Sequence, residues 1–389
     1  MRINMKNFTL KAFMLFPIFT LLSFIPLMTT LLSVIGLAGM LYTLFRYGVV
    51  RKGIILVTIS CLLAGWNYII TQEAIININE TIYFIYLIIF TVFLINKKKF
   101  IIDFMKKNTR YLKAICLIWC ALVVFSVVFP SSYDNGIFVS FTESTFRLSP
   151  SAIFIMALSS VLLAIEKKKQ YIQYSIVPWL AILFGASRTY LVLGVAMLIL
   201  NLSMVYKNKK TYMLVVVITL LLGGLITVNT SMGDKFIDSI TEQEYQDKLG
   251  VFSSGRSNFW IKDLDAFNEQ DLNNRMFGCG LNFIRIVNGA KPGTKEDGIW
   301  AHNDFIQIVI TYGYVGLLVY LINMKLMFSK ILTPKTPKLV EFLLVLIWFF
   351  NAMFNMYYTY ICSMIALPIV MLACEIYKQE NAKWFGERE

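Results

Sequence analysis

Charge is scarce in this chain. Only 15% of its 389 residues are Asp, Glu, Lys or Arg, whereas 58% are hydrophobic and the mean hydropathy is +0.66. A soluble core of this length has no use for so much apolar surface, so a water-soluble globular fold is excluded and lipid is the solvent for most of the chain. A Gly-rich phosphate loop, a dinucleotide fingerprint and a clustered acidic metal motif on the outer side are all missing from the sequence. Nucleotide-driven chemistry therefore lacks support, and neither a cofactor nor a metal is expected. Of the six cysteines, Cys61, Cys116, Cys120, Cys362 and Cys374 lie in or beside apolar runs and Cys279 sits in a polar loop, so no disulfide framework or metal cluster follows. The first apolar run has a basic start (Arg2, Lys6, Lys11) but no small-residue cleavage site, and is expected to stay as a first helix. The formal charge of +13 comes from short basic clusters beside apolar runs. That placement orients a membrane protein and does not build a nucleic-acid face, so no nucleic-acid partner is expected.

What is present is apolar sequence in lengths that fit a bilayer. A hydrocarbon core about 30 Å thick takes about 20 helical residues. That ruler gives an all-α polytopic protein with about twelve transmembrane helices, near residues 9–25, 28–45, 54–70, 81–96, 112–130, 150–165, 171–186, 189–206, 212–229, 303–323, 340–356 and 358–376. Two apolar runs, Leu10 to Tyr47 and Tyr171 to Tyr206, are each about twice one crossing and are expected to fold as hairpins, broken at Pro26 and at Gly185-Ala186-Ser187. Most of the 36 Lys and Arg fall on one side of this arrangement, with both termini, and most of the remainder fall in the single long loop. Short-loop positive charge marks the cytoplasmic side, so the termini are expected there, in a membrane crossed many times. The whole chain reads as one membrane domain, with residues 230–301 forming a partly helical extracytoplasmic loop between the ninth and tenth spans. In that loop Phe236, Ile237, Ile240, Tyr245 and Leu249 share one helical face; Trp260, Leu264 and Phe267 share another, in a helix that Ser253 or Ser254 could cap.

A few polar groups are not explained by topology. Arg188 sits at the apex of the second hairpin, 19 residues from Lys169 and from Lys207, or about 28 Å along a helix from each. A guanidinium at that depth, on the side the charge bias disfavours, either snorkels or binds an anion. Arg256 opens a loop helix in Gly255-Arg256-Ser257-Asn258-Phe259-Trp260, where backbone N–H groups and a guanidinium can together hold phosphate oxygens, or where the arginine can pair with the loop's acids. His302 is the chain's one histidine and immediately precedes the tenth span. A helix N-terminus disfavours the imidazolium, leaving a neutral ring able to accept a proton; the plainer alternative is an interfacial histidine bonded to loop backbone. Asp304 could cap that span or orient the ring. Arg147, at the outer end of the sixth span, is a further cation on the same side, a second-line site member for which snorkelling is the favoured explanation. Several cations and one candidate base at one membrane level suit a substrate with a diphosphate head and a lipid tail.

Taken together, Ser187-Arg188, Gly255-Arg256 with Trp260, Phe277-Gly278-Cys279-Gly280, and Ala301-His302-Asn303-Asp304-Phe305 leading to Tyr312-Gly313-Tyr314-Val315-Gly316 resemble the O-antigen ligase and Wzy-type polysaccharide polymerase superfamily, over about residues 145–325. The resemblance implies a GT-C-like membrane fold and an inverting, metal-independent glycosyltransferase. Its implied partners are undecaprenyl-diphosphate-linked oligosaccharide as donor and acceptor, membrane lipid, and a chain-length regulator as a candidate. It implies His302, Arg188 and Arg256 as catalytic residues, with Arg147, Arg285, Asp304 and Trp260 binding substrate. Arg147 departs from the family pattern, because Ser149-Pro150-Ser151 replaces the glycine and asparagine expected after it. A polymerase, transferring the growing glycan onto the next lipid-linked unit, is expected ahead of a ligase that transfers it to a terminal acceptor. The alternative from another class is a lipid-linked oligosaccharide flippase or another transporter, which should carry ionisable or helix-breaking groups at mid-membrane.

Overall fold

The structure is a computed structural model that describes residues 5–22, 26–70, 78–134, 136–142, 144–206, 208–228, 256–289, 298–333 and 336–380. Its helices are α1 (Met5–Leu21), α2 (Pro26–Tyr47), α3 (Arg51–Ile70), α4 (Ile78–Lys107), α5 (Thr109–Ser126), α6 (Thr145–Glu166), α7 (Gln173–Phe184), α8 (Arg188–Val205), α9 (Lys209–Val228), α10 (Arg256–Asn268), α11 (Leu272–Phe277), α12 (Phe283–Val287), α13 (Asp304–Ile331), α14 (Lys338–Asn355) and α15 (Ile361–Glu380). One small antiparallel hairpin, β1 (Tyr133–Asp134) with β2 (Ile137–Phe138), pairs Tyr133 with Phe138. The chain is an all-α polytopic membrane protein. Among the described residues eight helices, α2, α3, α5, α6, α8, α13, α14 and α15, are long and apolar enough to cross a bilayer, and α1 and α9 contain shorter apolar helices.

Each of the twelve expected spans falls on a helix, with instructive departures. α7 has 12 residues, about 18 Å of rise, well short of a crossing. α13 runs for 28 residues rather than the expected 21, with a non-helical break at Gly313. α4 is likewise kinked at Lys97. Pro26 opens α2 at a position where its missing N–H is not needed, and Gly185-Ala186-Ser187 separates α7 from α8 with Ala186 left-handed at φ 49°. The last two spans part at Met356 to Tyr360, where Met356 takes a left-handed conformation. The expected helical face from Phe236 to Leu249 and the Ser253 or Ser254 cap lie outside the described residues.

α6 and α15 form the centre. From Leu148 to Ala164 every residue of α6 is buried, as a helix with apolar or small side chains on all faces requires. Ser149, Ala152, Ala157, Ser159 and Ser160 keep it slim, and hydroxyls and one amide join it to its neighbours. The Ser160 hydroxyl donates to Asn201 on α8 (2.5 Å), Asn201 donates to Ser175 on α7 (2.8 Å), and Ser175 donates back to Ser159 (2.9 Å).

The two ends of this core differ in chemistry. At the C-terminal ends of α6, α13 and α15 lie ion pairs, Lys113 with Glu166 (2.5 Å) and Lys98 with Glu375 (3.6 Å), and the Lys98 ammonium also donates to the Ile331 carbonyl (2.7 Å). Along α6 the opposite end lies 22 residues away, about 33 Å. There the core opens into a cavity.

Candidate functional site

The cavity encloses 540 Å³ between α1, α2, α4, α6, the segment before α13, and the start of α15. Hydroxyls furnish one part of its wall: Thr20 of α1, Thr29, Thr30 and Ser33 of α2, and Thr359 before α15. Tyr83, Trp300 and Tyr360 add aromatic faces with polar tips, and His302 and Arg147 complete the polar lining. No carboxylate lines the cavity among the described residues, so Arg147 meets no acid there.

His302 stands on strained backbone. Its φ of 49° is left-handed, a conformation that histidine tolerates better than most residues but still uncommon. It is held from both sides. Ala301 before it accepts a hydrogen bond from the Trp260 indole (2.6 Å), and Asn303 after it caps α13 by accepting from the N–H groups of Phe305 (2.9 Å) and Ile306 (3.2 Å). The ring lies nearly parallel to Phe146, at 6.3 Å between centroids. Nδ1 is buried without a hydrogen-bond partner among the described residues. The sequence reading expected a neutral imidazole because of the helix N-terminus. The ring is indeed held neutral, with its pKa pushed down to about 4, but burial is the main cause and the nearby Arg256 guanidinium the second.

Arg256 is the first residue of α10 and donates to the Phe354 carbonyl. That carbonyl belongs to the last turn of α14, where the helix's own N–H donors have run out, so a guanidinium is a natural partner for it. Burial works against the charge of Arg256, Tyr360 favours it and Arg188 opposes it again; the net shift is downward. Arg188 begins α8, at the positive end of that helix's dipole. Arg188 is thus near enough to Arg256 to disfavour its charge, Arg256 in turn disfavours a charge on His302, and Tyr360, which lines the cavity, favours the charge of Arg256. Arg147 enters from α6 and acts on Tyr83 across the same cavity.

The other expected site residues sit behind this wall. Asp304 does not cap α13: Asn303 does. The Asp304 carboxylate is buried and accepts from Tyr320, sixteen residues further along the same helix (2.6 Å), and the Trp348 indole donates to the Tyr320 oxygen (3.1 Å). Trp260 is 5% exposed, packs on Phe354 and is not part of the cavity lining. Arg285 is also buried, with its guanidinium 4.9 Å from the ring centre of Trp300, so it backs a cavity residue without lining the cavity itself. Cys279, expected in a watery loop, is half-buried against α13, and burial pushes its thiol up to about 12. Sequence reasoning missed Tyr83, Trp300 and Tyr360. The available signal for the last was the run Tyr357-Tyr358-Thr359-Tyr360, too rich in hydroxyls for the interior of a span.

The glycine motifs have a structural account. Cys279 N–H donates to the Ile310 carbonyl (2.8 Å), just before the break at Gly313 in α13. Asn67 of α3 donates to the Phe277 carbonyl and accepts from Gly280 N–H, both at 3.1 Å. Phe277-Gly278-Cys279-Gly280 is therefore a clasp joining the loop helices to α3 and α13.

Residues 173–321, from α7 into α13, match a family model described as O-antigen ligase. The match covers 149 of the 389 residues, and over that stretch the chain is similar to the O-antigen ligase family. It takes in Arg188, Arg256, Trp260, Arg285, His302 and Asp304 and excludes Arg147. No curated protein matches the chain.

Proposed function

We propose that this chain, a membrane protein of the O-antigen ligase and Wzy-type superfamily, polymerises polysaccharide. It transfers undecaprenyl-diphosphate-linked glycan onto a hydroxyl of the next lipid-linked repeat unit, on the extracytoplasmic face of a bacterial plasma membrane. The observation that carries this is that Arg256 lies near enough to both Arg188 and His302 for their charges to act on one another, with His302 lining the cavity. As the acceptor hydroxyl attacks the anomeric carbon, the C–O bond to the diphosphate breaks and negative charge gathers on the leaving group. Paired guanidiniums stabilise that charge more in the transition state than in the ground state. His302 takes the hydroxyl proton as general base; with Nδ1 buried, Nε2 is the nitrogen left for it. A single displacement of this kind inverts the anomeric centre. The hydroxyl and aromatic lining of the cavity suits a polyhydroxylated ring, and Arg147 extends the cationic surface toward the diphosphate. Polymerase is favoured over ligase because the match to the shared motifs is loose, as expected of the more divergent subgroup.

Purified protein in lipid discs, supplied with the host's lipid-linked repeat unit, is expected to give a ladder of products and free undecaprenyl diphosphate, at a rate unchanged by excess chelator. A single product on a terminal acceptor would instead assign ligase. Movement of intact substrate between leaflets with no diphosphate released would reject the enzyme altogether.

The base role gives a separate prediction. His302→Ala slows transfer by at least tenfold, within the ~10² to 10⁴ typical of general bases. In the wild type the neutral ring is the active form and its folded pKa is about 4. Transfer should therefore be insensitive to this group from about pH 5 upward and decline as pH falls through about 4. A decline centred near pH 6.5 would show that the buried, Arg256-facing ring is not the base.

A further inference from the structure

We propose that Trp260 is a positioning residue that fixes the His302 imidazole relative to the Arg256 guanidinium. Arg256 and Trp260 are four residues apart on α10 and so share one face of the helix. Both reach the same residue of α14: Arg256 donates to the Phe354 carbonyl, and the Trp260 ring lies 6.1 Å from the Phe354 ring. From the same side chain the indole N–H reaches the Ala301 carbonyl at 2.6 Å, one residue before the base. A single buried tryptophan thus joins the element bearing the cation to the segment bearing the imidazole.

The imidazole needs such a support, because Nδ1 has no hydrogen-bond partner among the described residues. Its place is set by its own backbone, which is left-handed at φ 49° and held at Ala301 and Asn303. A second link runs parallel to the first. Asn288 donates to Asp263 of α10 (2.8 Å) and to the Ile299 carbonyl (3.2 Å), which pins the chain just upstream; the Ala301 N–H donates to Gln307 (3.4 Å), and the Ala301 carbonyl is held by Trp260. Losing the indole N–H would free the Ala301 carbonyl and let residues 301–302 relax toward unstrained backbone, drawing the ring toward water and away from Arg256. Arg256 acts on His302 from α10; Arg147, Tyr83 and Tyr360 share its cavity; Asp304 follows it on α13 with its carboxylate turned to Tyr320.

This role rests on the reading of His302 as base, yet it can be measured without substrate, since His302 is the chain's one histidine. With ¹⁵N-histidine in protein purified through a histidine-free tag, a single imidazole titrates. The wild type should titrate near its folded pKa of about 4, and Trp260→Phe, which keeps a ring on Phe354, should move the midpoint upward by at least one pH unit toward 6.5. In transfer assays the same variant should lose at least about tenfold in kcat with the donor KM changed less than twofold. If Trp260→Phe does not fold, replacing Trp260 with its benzothienyl isostere, which has sulfur in place of N–H, gives the same readouts. A shifted titration in protein that transfers no glycan would sink the enzyme reading and leave the positioning role standing. A wild-type titration midpoint and wild-type kcat in either variant of an active protein would overturn the role of Trp260.

Discussion

Arg188→Ala abolishes transfer, by at least about 10³-fold, in protein that still inserts and purifies. Removing one preorganised donor from a transition-state charge typically costs about 10² to 10³ in rate. Arg188 should lie at the upper end of that range, because it places a cation at the start of α8 and acts together with the half-buried Arg256 guanidinium. Because the proposed leaving group is a diphosphate, the wild type should bind inorganic pyrophosphate: at 100 times its Kd, pyrophosphate should stabilise the wild type by about 2.7 kcal/mol and raise its thermal midpoint, and Arg188→Ala should show no such rise. Arg256→Ala should also abolish transfer, but it additionally strands the Phe354 carbonyl, with a stability cost of about 1–3 kcal/mol. Arg256→Lys separates the two effects. It retains a point charge but loses the forked donors, and should transfer at least tenfold more slowly than the wild type. Wild-type transfer by Arg188→Ala, or an equal pyrophosphate response in that variant, would remove the guanidinium pair from the reaction.

Much of this arrangement was legible in the sequence, because the strongest signals in it are long-range averages or breaks. Apolar runs scaled to a bilayer placed the helices, and Pro26 and Gly185-Ala186-Ser187 placed two of their breaks. Arg188, Arg256 and His302 stood out because charge at a membrane edge is conspicuous in a chain so poor in it. What the sequence did not reveal are choices settled by distant partners. Asn303 and Asp304 are both good capping residues, one position apart, and the cap goes to Asn303 because the Asp304 carboxylate finds Tyr320, from beyond the break at Gly313. Trp260 and Arg285 are read as substrate contacts by the family resemblance alone, and nothing in the sequence shows what they pack against. Their packing on Phe354 and behind Trp300 depends on elements almost a hundred residues away in one case and on a loop return in the other. The sequence reading parts the last two spans between residues 356 and 358, but with neither proline nor glycine there the extent of the break to Tyr360 was not legible, so Tyr360 was absorbed into a span and its effect on Arg256 went unseen.

Gly278→Ala and Gly313→Ala should each cost most of the folded protein, although neither touches the cavity. Gly278 has φ 104° and ψ 160°, and Gly313 has φ 71° and ψ −176°. Both lie in the region open essentially to glycine alone, where another residue stores about 1–3 kcal/mol of strain. Space is closed as well. A Cβ on Gly278 would lie 2.0 Å from the Thr311 carbonyl oxygen, and one on Gly313 would lie 2.2 Å from that of Met276. These are backbone atoms that no rotamer change can move aside, so overpacking adds about 1–3 kcal/mol more. The two glycines face each other across one contact, and either methyl would force α11 away from the break in α13, pulling Cys279 off Ile310 and Gly280 off Asn67. Gly289 separates strain from crowding: its φ of 98° is also positive, but nothing among the described residues lies within 4 Å of a Cβ there. Gly289→Ala should cost only about 1–2 kcal/mol. Thermal midpoints and the monodisperse fraction after detergent extraction should therefore fall far more for positions 278 and 313 than for 289. Equal losses at all three would mean that backbone conformation alone matters and that the close approach of α11 to α13 is not what holds the loop helices to the membrane bundle.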